Sequence, residues 1–213
     1  MPKSEDNPPR VRPALQARSR EQTQRILSAG LALLRTHSFH ELTMEQIAQA
    51  AGCSVGTLYK RFANKDALLD ELADTVRRDI LSGLRTDVTP GGFGGDSLED
   101  VVCRVVGLVV ETARTHEGLT RALQTRNVQK PRMKRPLRDA NLAAAAMAVA
   151  AAKVHRPDHL DEEEFERRFR IGYQMMIGTI VNMIINDPGP LHLTDEQAVK
   201  RLAGVMVAYL LAP

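Results

Sequence analysis

The sequence predicts an all-α protein. Apolar residues recur at spacings of three and four, as in Ile26, Leu27, Leu31 and Leu34 and again in Leu68, Leu69, Leu72, Val76, Ile80 and Leu84. That is the helical period, not the strict alternation of a half-buried strand. Thr43 and Thr194 are each followed three positions later by Gln, and Asp161 by Glu164, a pattern that marks helix starts. The stretch "PLRDANLAAAAMAVAAAKVHR" is rich in alanine, which loses no side-chain entropy in a helix.

Residues 1–17 hold four prolines and no periodicity, which predicts a mobile basic tail carrying Lys3, Arg10 and Arg12. A first helix follows and ends near His37. Thr43 with Gln46 caps a short second helix that runs to about Ala51, where Gly52 stands at the expected stop. Ser54 caps a third, to about Phe62, and Asn64 a fourth, to about residue 85. "TDVTPGGFGGDS" (86–97) has four glycines and a proline, so no helix continues through it and a domain boundary falls there.

Beyond the break, "VVCRVVGLVV" has the valines of a buried strand. The length of the segment and the lack of strand partners favour a helix over 98–116 instead. A shorter helix is expected over 119–126, then the alanine-rich one. Asp161 begins a long helix that "DPGP" (187–190) stops. Thr194 with Gln197 is expected to cap the last helix, which reaches about Leu211. Its second half, "LAGVMVAYLLA", is apolar nearly all round and must be covered; a second copy of the chain is an economical cover.

The 213 residues suit one large or two small domains. The start, "MPKSEDNPPRVRP", has no apolar run of the secretory type, and the apolar stretch over 171–185 is interrupted and short for a membrane span. Cys53 and Cys103 sit in no paired or His-linked motif, which fits two free thiols in a reducing cytoplasm. No nucleophile elbow, phosphate-binding glycine loop or metal-ligand motif is found, so no catalytic residue, metal or cofactor is expected. His37 and His40 beside Glu41 read either as metal ligands or as surface histidines at a helix end. Net charge is +3, but residues 1–65 carry 10 Lys and Arg against 5 Asp and Glu, a local net of +5. A basic N-terminal third suggests an anionic partner such as nucleic acid.

The stretch "AQAAGCSVGTLYKRF" (48–62) fits that partner. Two short helices over 43–51 and 54–62, joined by a turn at Gly52, form a helix-turn-helix. With Leu58 and Phe62 facing inward, Val55, Thr57, Tyr59 and Lys60 are left to point outward or sideways. Slim residues at a helix start, with donors at its flanks, are what a major groove admits. Gly56 lets DNA approach the backbone closely. Thr43 stands at a helix N-terminus, a natural phosphate site, and Lys65 can grip the same strand.

"TMEQIAQAAGCSVGTLYKRFANKDALL" resembles the DNA-binding region of the tetracycline-repressor (TetR/AcrR) family of bacterial transcription regulators. The likeness lies in Thr43, Ile47-Ala48, Ala51-Gly52, Ser54, Gly56-Thr57-Leu58-Tyr59, Phe62, Asn64-Lys65 and Leu68-Leu69, in one ungapped block. It spans roughly residues 18–72. Ser38 departs from it, standing where the family often has glycine, which adds some strain. The resemblance implies about nine helices: a DNA-binding domain over 18–65, a linking helix over 66–85, and a ligand-binding and dimerisation domain over 86–213. It implies a homodimer through 161–186 and 194–211, a palindromic operator in double-stranded DNA, a small-molecule effector of unknown identity, and a repressor role. Thr43, Ser54, Val55, Thr57, Tyr59, Lys60 and Lys65 occupy DNA-contacting positions. A ligand-independent architectural DNA-binding protein is the alternative, and an all-α enzyme a third reading.

The rest is less specific. Met147, Phe169, Tyr173, Met175 and Met176 read either as an apolar ligand pocket or as plain core. Asn182, inside an apolar helix, can bond a ligand or its twin in a second subunit. "RALQTRNVQKPRMKRPLR" (121–138) holds seven Lys and Arg and no acid; it reads as a solvated surface with a loop at 129–136 or as a mouth that attracts an anionic ligand.

Overall fold

The computed structural model describes residues 12–87, 97–130 and 136–212. Residues 1–11 of the expected tail, most of the glycine-rich break, and the middle of the basic 129–136 loop lie outside these, as does the Leu84 side chain. Nine α-helices are present among the described residues: α1 (Arg12–Leu33), α2 (Met44–Ala50), α3 (Val55–Tyr59), α4 (Lys65–Asp87), α5 (Leu98–Thr115), α6 (Glu117–Gln129), α7 (Pro136–Ala152), α8 (Glu162–Asn186) and α9 (Ala198–Leu211). A single 3₁₀ turn, Lys153–His155, follows α7. No strand occurs among the described residues.

Two apolar cores organise the chain. The first gathers α1 to α4 around Ile26, Leu27, Ile47, Leu58, Leu68 and Leu72. The second gathers α5, α7, α8 and α9 around Val101, Val105, Phe165, Phe169, Ile180 and Met206. Ile80 on α4 packs against both. The valines of α5 show why it is a helix: Val101, Val102, Val105, Val106 and Val110 are all fully buried. Their spacing of three and four is one helix face, and burial outweighs the modest helix penalty of β-branching.

Helix α6 enters the first core, not the second. Its Leu119, Ala122 and Leu123 pack there. Gly118 permits this: a Cβ on it would lie 1.8 Å from the carbonyl oxygen of Leu34. Arg126 of α6 is buried and pairs with Asp70 of α4 at 2.6 Å. Lys130 pairs with Asp66.

Several expectations need correction. Helix α1 begins at Arg12, inside the stretch expected as a tail, since Pro13 falls in the first turn, where a missing N–H is harmless. Helix α4 runs on through Asp87, and α6 is longer at both ends than 119–126. Helix α9 starts at Ala198, without a side-chain cap. Residues 193–197 form turns instead: Asp195 accepts from the His192 N–H at 2.8 Å, and Arg114 donates to the carbonyls of Leu193 and Asp195, both at 2.8 Å. Ser38 carries no strain of the left-handed kind, because Asp187 is the one non-glycine residue at positive φ among the described residues.

Gly118→Ala is expected to destabilise the fold by about 1–3 kcal/mol, because backbone and not a flexible side chain must move. Urea denaturation of the two proteins measures it.

Candidate nucleic-acid interface

The local chemistry of α2 and α3 is set by their caps. Thr43 Oγ1 accepts from the Gln46 N–H at 3.2 Å, and Gln46 Oε1 accepts from the Thr43 N–H at 2.8 Å, a complete capping box. Gly52 takes φ +63° in the turn, a conformation without penalty only for glycine. Ser54 Oγ then accepts from the Thr57 N–H at 3.2 Å and lies 2.9 Å from Thr57 Oγ1. A five-residue helix is too short to persist by itself; here the cap and the fully buried Leu58 hold it.

The expected contact residues differ in exposure. Thr43, Ser54, Gly56 and Lys60 are exposed, and Tyr59 is half exposed at 50%. Among the described residues the Lys60 side chain has no partner. A Cβ on Gly56 would meet only Ser54 Oγ, at 3.9 Å, so nothing inside the chain requires glycine there. Thr57 is half-buried, and Val55 packs partly against the first core. Val55 thus offers only part of its side chain to a groove.

Lys65 is held back. Its ammonium donates to the His40 carbonyl at 3.2 Å and lies 4.6 Å above the Phe39 ring centroid. Desolvation lowers its pKa, opposed by the charge of Asp66. Arg61, next to Lys60 in sequence, turns instead toward α1. Its Nη1 donates to Ser19 Oγ at 3.1 Å and Thr23 Oγ1 at 2.7 Å, and its Nη2 to Gln22 Oε1 at 2.9 Å. The signal was present in α1, where Ser19, Gln22 and Thr23 form a polar stripe at helical spacing.

Two hollows lie beyond this surface. One, of about 70 Å³, is lined by Tyr173 together with Val76, Ile80, Thr112, Asn141 and Ile177 among others. Of the five residues read as pocket or core, Tyr173 alone lines it, and Met175 is exposed. Phe169 and Met176 are buried in the second core, and Met147 packs half-buried against it. Burial pushes the Tyr173 phenol pKa up. Asn182 is exposed on α8 and accepts from the Asn186 amide at 2.7 Å. The other hollow is a cleft of about 940 Å³ between the two parts of the chain. His116 and Leu119 line both. Burial lowers the His116 pKa, and Arg35 adds to this against Asp79. His37 bonds Thr36 through Nδ1 at 2.9 Å, and no group of three or more potential metal-ligating His, Cys, Asp or Glu gathers among the described residues. No described helix is long and apolar enough to cross a membrane.

A doubly capped helix pair, with its polar end exposed and its anchors buried, defines a helix-turn-helix DNA-binding protein. Residues 26–72 match the family described as "Bacterial regulatory proteins, tetR family". The nucleoid occlusion factor SlmA of Haemophilus ducreyi is 27% identical over 105 residues, 49% of this chain and 50% of that protein. An uncharacterized HTH-type transcriptional regulator of Mycobacterium tuberculosis is 30% identical over 94 residues, 42% of this chain and 43% of its own length. The chain spans about half the length of the curated relatives it matches. A solved TetR transcription regulator of Haloarcula marismortui superposes with a TM-score of 0.68 at 19% identity, over 89% of this chain and 96% of that one, a likeness of fold. Over residues 26–72 the chain carries the sequence pattern of the tetR family of bacterial regulatory proteins, and its fold is like that of the solved regulator.

Two outcomes are expected. Ser54→Ala should lose about 1 kcal/mol of stability by urea denaturation, the ordinary worth of an N-cap. His116 stays neutral in the folded chain while the unfolded chain takes up a proton near pH 6.5. The linked stability is therefore present above about pH 6.5 and is lost as pH falls through the depressed folded value. The melting temperature of His116→Gln should fall less than that of wild type between about pH 7.5 and pH 5.

Proposed function

We propose that the chain is a homodimeric transcriptional repressor. It reads a palindromic operator in double-stranded DNA and is released when a small molecule binds its C-terminal part. The observation that carries the DNA reading is the exposed end of α3: small polar groups, a glycine with no internal purpose, then Tyr59 and an unpartnered Lys60. Ser54, Gly56 and Thr57 let the helix start sink into a major groove. Val55 offers a methyl surface to thymine, and Lys60 reaches guanine acceptors. Thr43, Tyr59 and Lys65 fall to backbone phosphates, Lys65 after leaving the His40 carbonyl. Such a partner puts the protein in the cytoplasm with the chromosome, as a binding protein and not an enzyme.

The dimer reading draws on α8 and α9. Met175 (51% exposed), Gly178, Thr179, Asn182 and Ile185 make one exposed stripe, and Gly204, Val205 (64% exposed), Ala208 and Leu211 another. Gly178 and Gly204 both open onto empty space, so the helices of a second copy can approach closely. Two α3 helices in such a dimer would lie about 34–36 Å apart, or a multiple of it, to read successive major grooves. The effector reading draws on the hollow beside Tyr173. Its wall at His116 and Leu119 belongs to α6 and its N-cap, and α6 rests on α1 through Gly118. A ligand that favours one placement of α6 would thereby change DNA affinity, typically by about 1–3 kcal/mol.

The likeness to a nucleoid occlusion factor over half the chain favours a second reading, an architectural DNA-binding protein with no effector. Selection of binding sites from a random duplex pool separates the two. The repressor reading expects an enriched palindrome with fixed half-site spacing. Binding without an enriched motif would leave the architectural reading, and no binding would overturn both. On the selected duplex, Lys60→Ala should reduce the slope of log affinity against log salt by about 1 if Lys60 meets phosphate. A loss confined to one base position would assign it to base readout instead.

A further inference from the structure

We propose that the cleft between the DNA-binding helices and the body of the chain binds a small polyanion, a phosphate- or carboxylate-bearing metabolite, and that its occupancy opposes DNA binding. The second half of this rests on the DNA-binding reading; the site itself does not. Size comes first. The hollow beside Tyr173 measures about 70 Å³, room for a few atoms, whereas the cleft measures about 940 Å³. The latter is within the roughly 300–1,000 Å³ range of small-molecule sites.

Charge gives the ligand class. The cleft is lined by the turn after α1, the start of α4, the end of α5 and the length of α6. These bring six cations, Arg35, Lys65, Arg114, Arg121, Arg126 and Lys130, against two carboxylates, Asp66 and Glu117. Two of the cations serve the fold: Arg126 pairs with Asp70, and Arg114 holds the carbonyls before α9. Four remain for a ligand. The Arg35 side chain has no hydrogen bond or ion pair with the described residues. Lys65 has only a carbonyl and a ring face. Arg121 pairs with Glu117 one turn away, and Lys130 pairs with Asp66. Solvent-exposed pairs of this kind contribute about 0–1 kcal/mol, so a multivalent anion displaces them readily. Helix α6 begins in the cleft with no capping side chain, and its first-turn N–H groups add to the positive field. Arg121 and Lys130 come from the basic, acid-free stretch of the sequence, whose anion-attracting reading this cleft gives a location.

The antagonism follows from Lys65. An anion that engages Lys65 removes a cation offered to the DNA backbone. One that also bridges Arg35 and Arg121 fixes the turn after α1 against α6. Reciprocity then requires DNA to weaken the anion by the same factor.

The test uses the full chain with inorganic pyrophosphate and citrate as probes, in calorimetry at matched ionic strength. Binding of one anion per chain is expected, and the stronger of the two probes assigns phosphate or carboxylate chemistry. Arg35→Glu and Arg121→Glu should each weaken it by about tenfold or more; both residues lie at the surface, and circular dichroism checks their folding. Lys60→Glu, outside the cleft, should leave it unchanged. In fluorescence anisotropy on the selected duplex, the saturating anion should weaken DNA binding several-fold beyond a chloride control. The site is overturned if neither probe binds, or if Lys60→Glu weakens binding as much as the cleft variants do. Anion binding with unaltered DNA affinity overturns the antagonism. Anion binding by a chain that binds no DNA would keep the site and count against the regulator reading.

Discussion

The contact on which the architecture depends is one of backbone with backbone: the Cα of Gly118 against the carbonyl oxygen of Leu34. No side chain fits between them. Because α6 can come this close to the end of α1, Leu119 and Leu123 reach the core of the helix-turn-helix. Arg126 arrives beside Asp70 on α4, where it is buried. A buried charge left without its partner is strongly destabilising, so the ion pair punishes any large departure of α6 from α4. The DNA-binding helices are therefore seated on the body through α4, which Ile80 ties to both cores, and through α6. A chain joined by α4 alone would leave the orientation of α3 to one helix and a break in the sequence.

The same seating explains the surface that α3 presents. Leu58 is fully buried, Phe62 nearly so, and Ala48 is closed over where the two short helices meet. A cap side chain satisfies one first-turn amide in each helix. Arg61 ties the end of α3 to three polar side chains of α1. Three independent restraints act on five helical residues. Together they fix the orientation of α3 on α1 and α2.

Much of this was legible in the sequence where a local rule and the tertiary need coincide. The capping box at Thr43, the positive-φ glycine at 52, the cap at Ser54 and the inward pair Leu58 and Phe62 all follow from short-range chemistry, and all are present. The valines of α5 were ambiguous only by composition; their spacing held the answer. What was not legible depends on distant partners. Thr194 with Gln197 satisfies the capping pattern, yet the segment is claimed by Arg114 from 79 residues away, and the helix starts later. Arg61 reads as a surface cation until α1 is laid beside it. Gly118 stands in no motif and breaks no helix, so its need for a bare Cα shows only once Leu34 is beside it. Pocket and core could not be told apart in the sequence for a related reason. Large apolar side chains on one helix fill space as readily as they line it, and Phe169 and Met176 fill it.

Seating α6 in the first core, beside both hollows, has a consequence for any signal that crosses the chain. His116 and Leu119 line both the hollow beside Tyr173 and the larger cleft. Leu119 also packs in the core that carries α3. A displacement of this wall toward either hollow is a displacement of α6, and the Gly118 contact transmits it to the last turn of α1 without a compressible side chain between. Close-packed interiors respond to such displacements by switching between arrangements, not by bending continuously. His116 sits at the head of that helix, half-buried and held neutral, with Arg35 across the cleft and Asp79 acting on it in the opposite sense. The first turn of α6 is thus set between opposing charges where its residues line both hollows. Even modest differential binding at either hollow acts there with the shortest route to the DNA-binding helices.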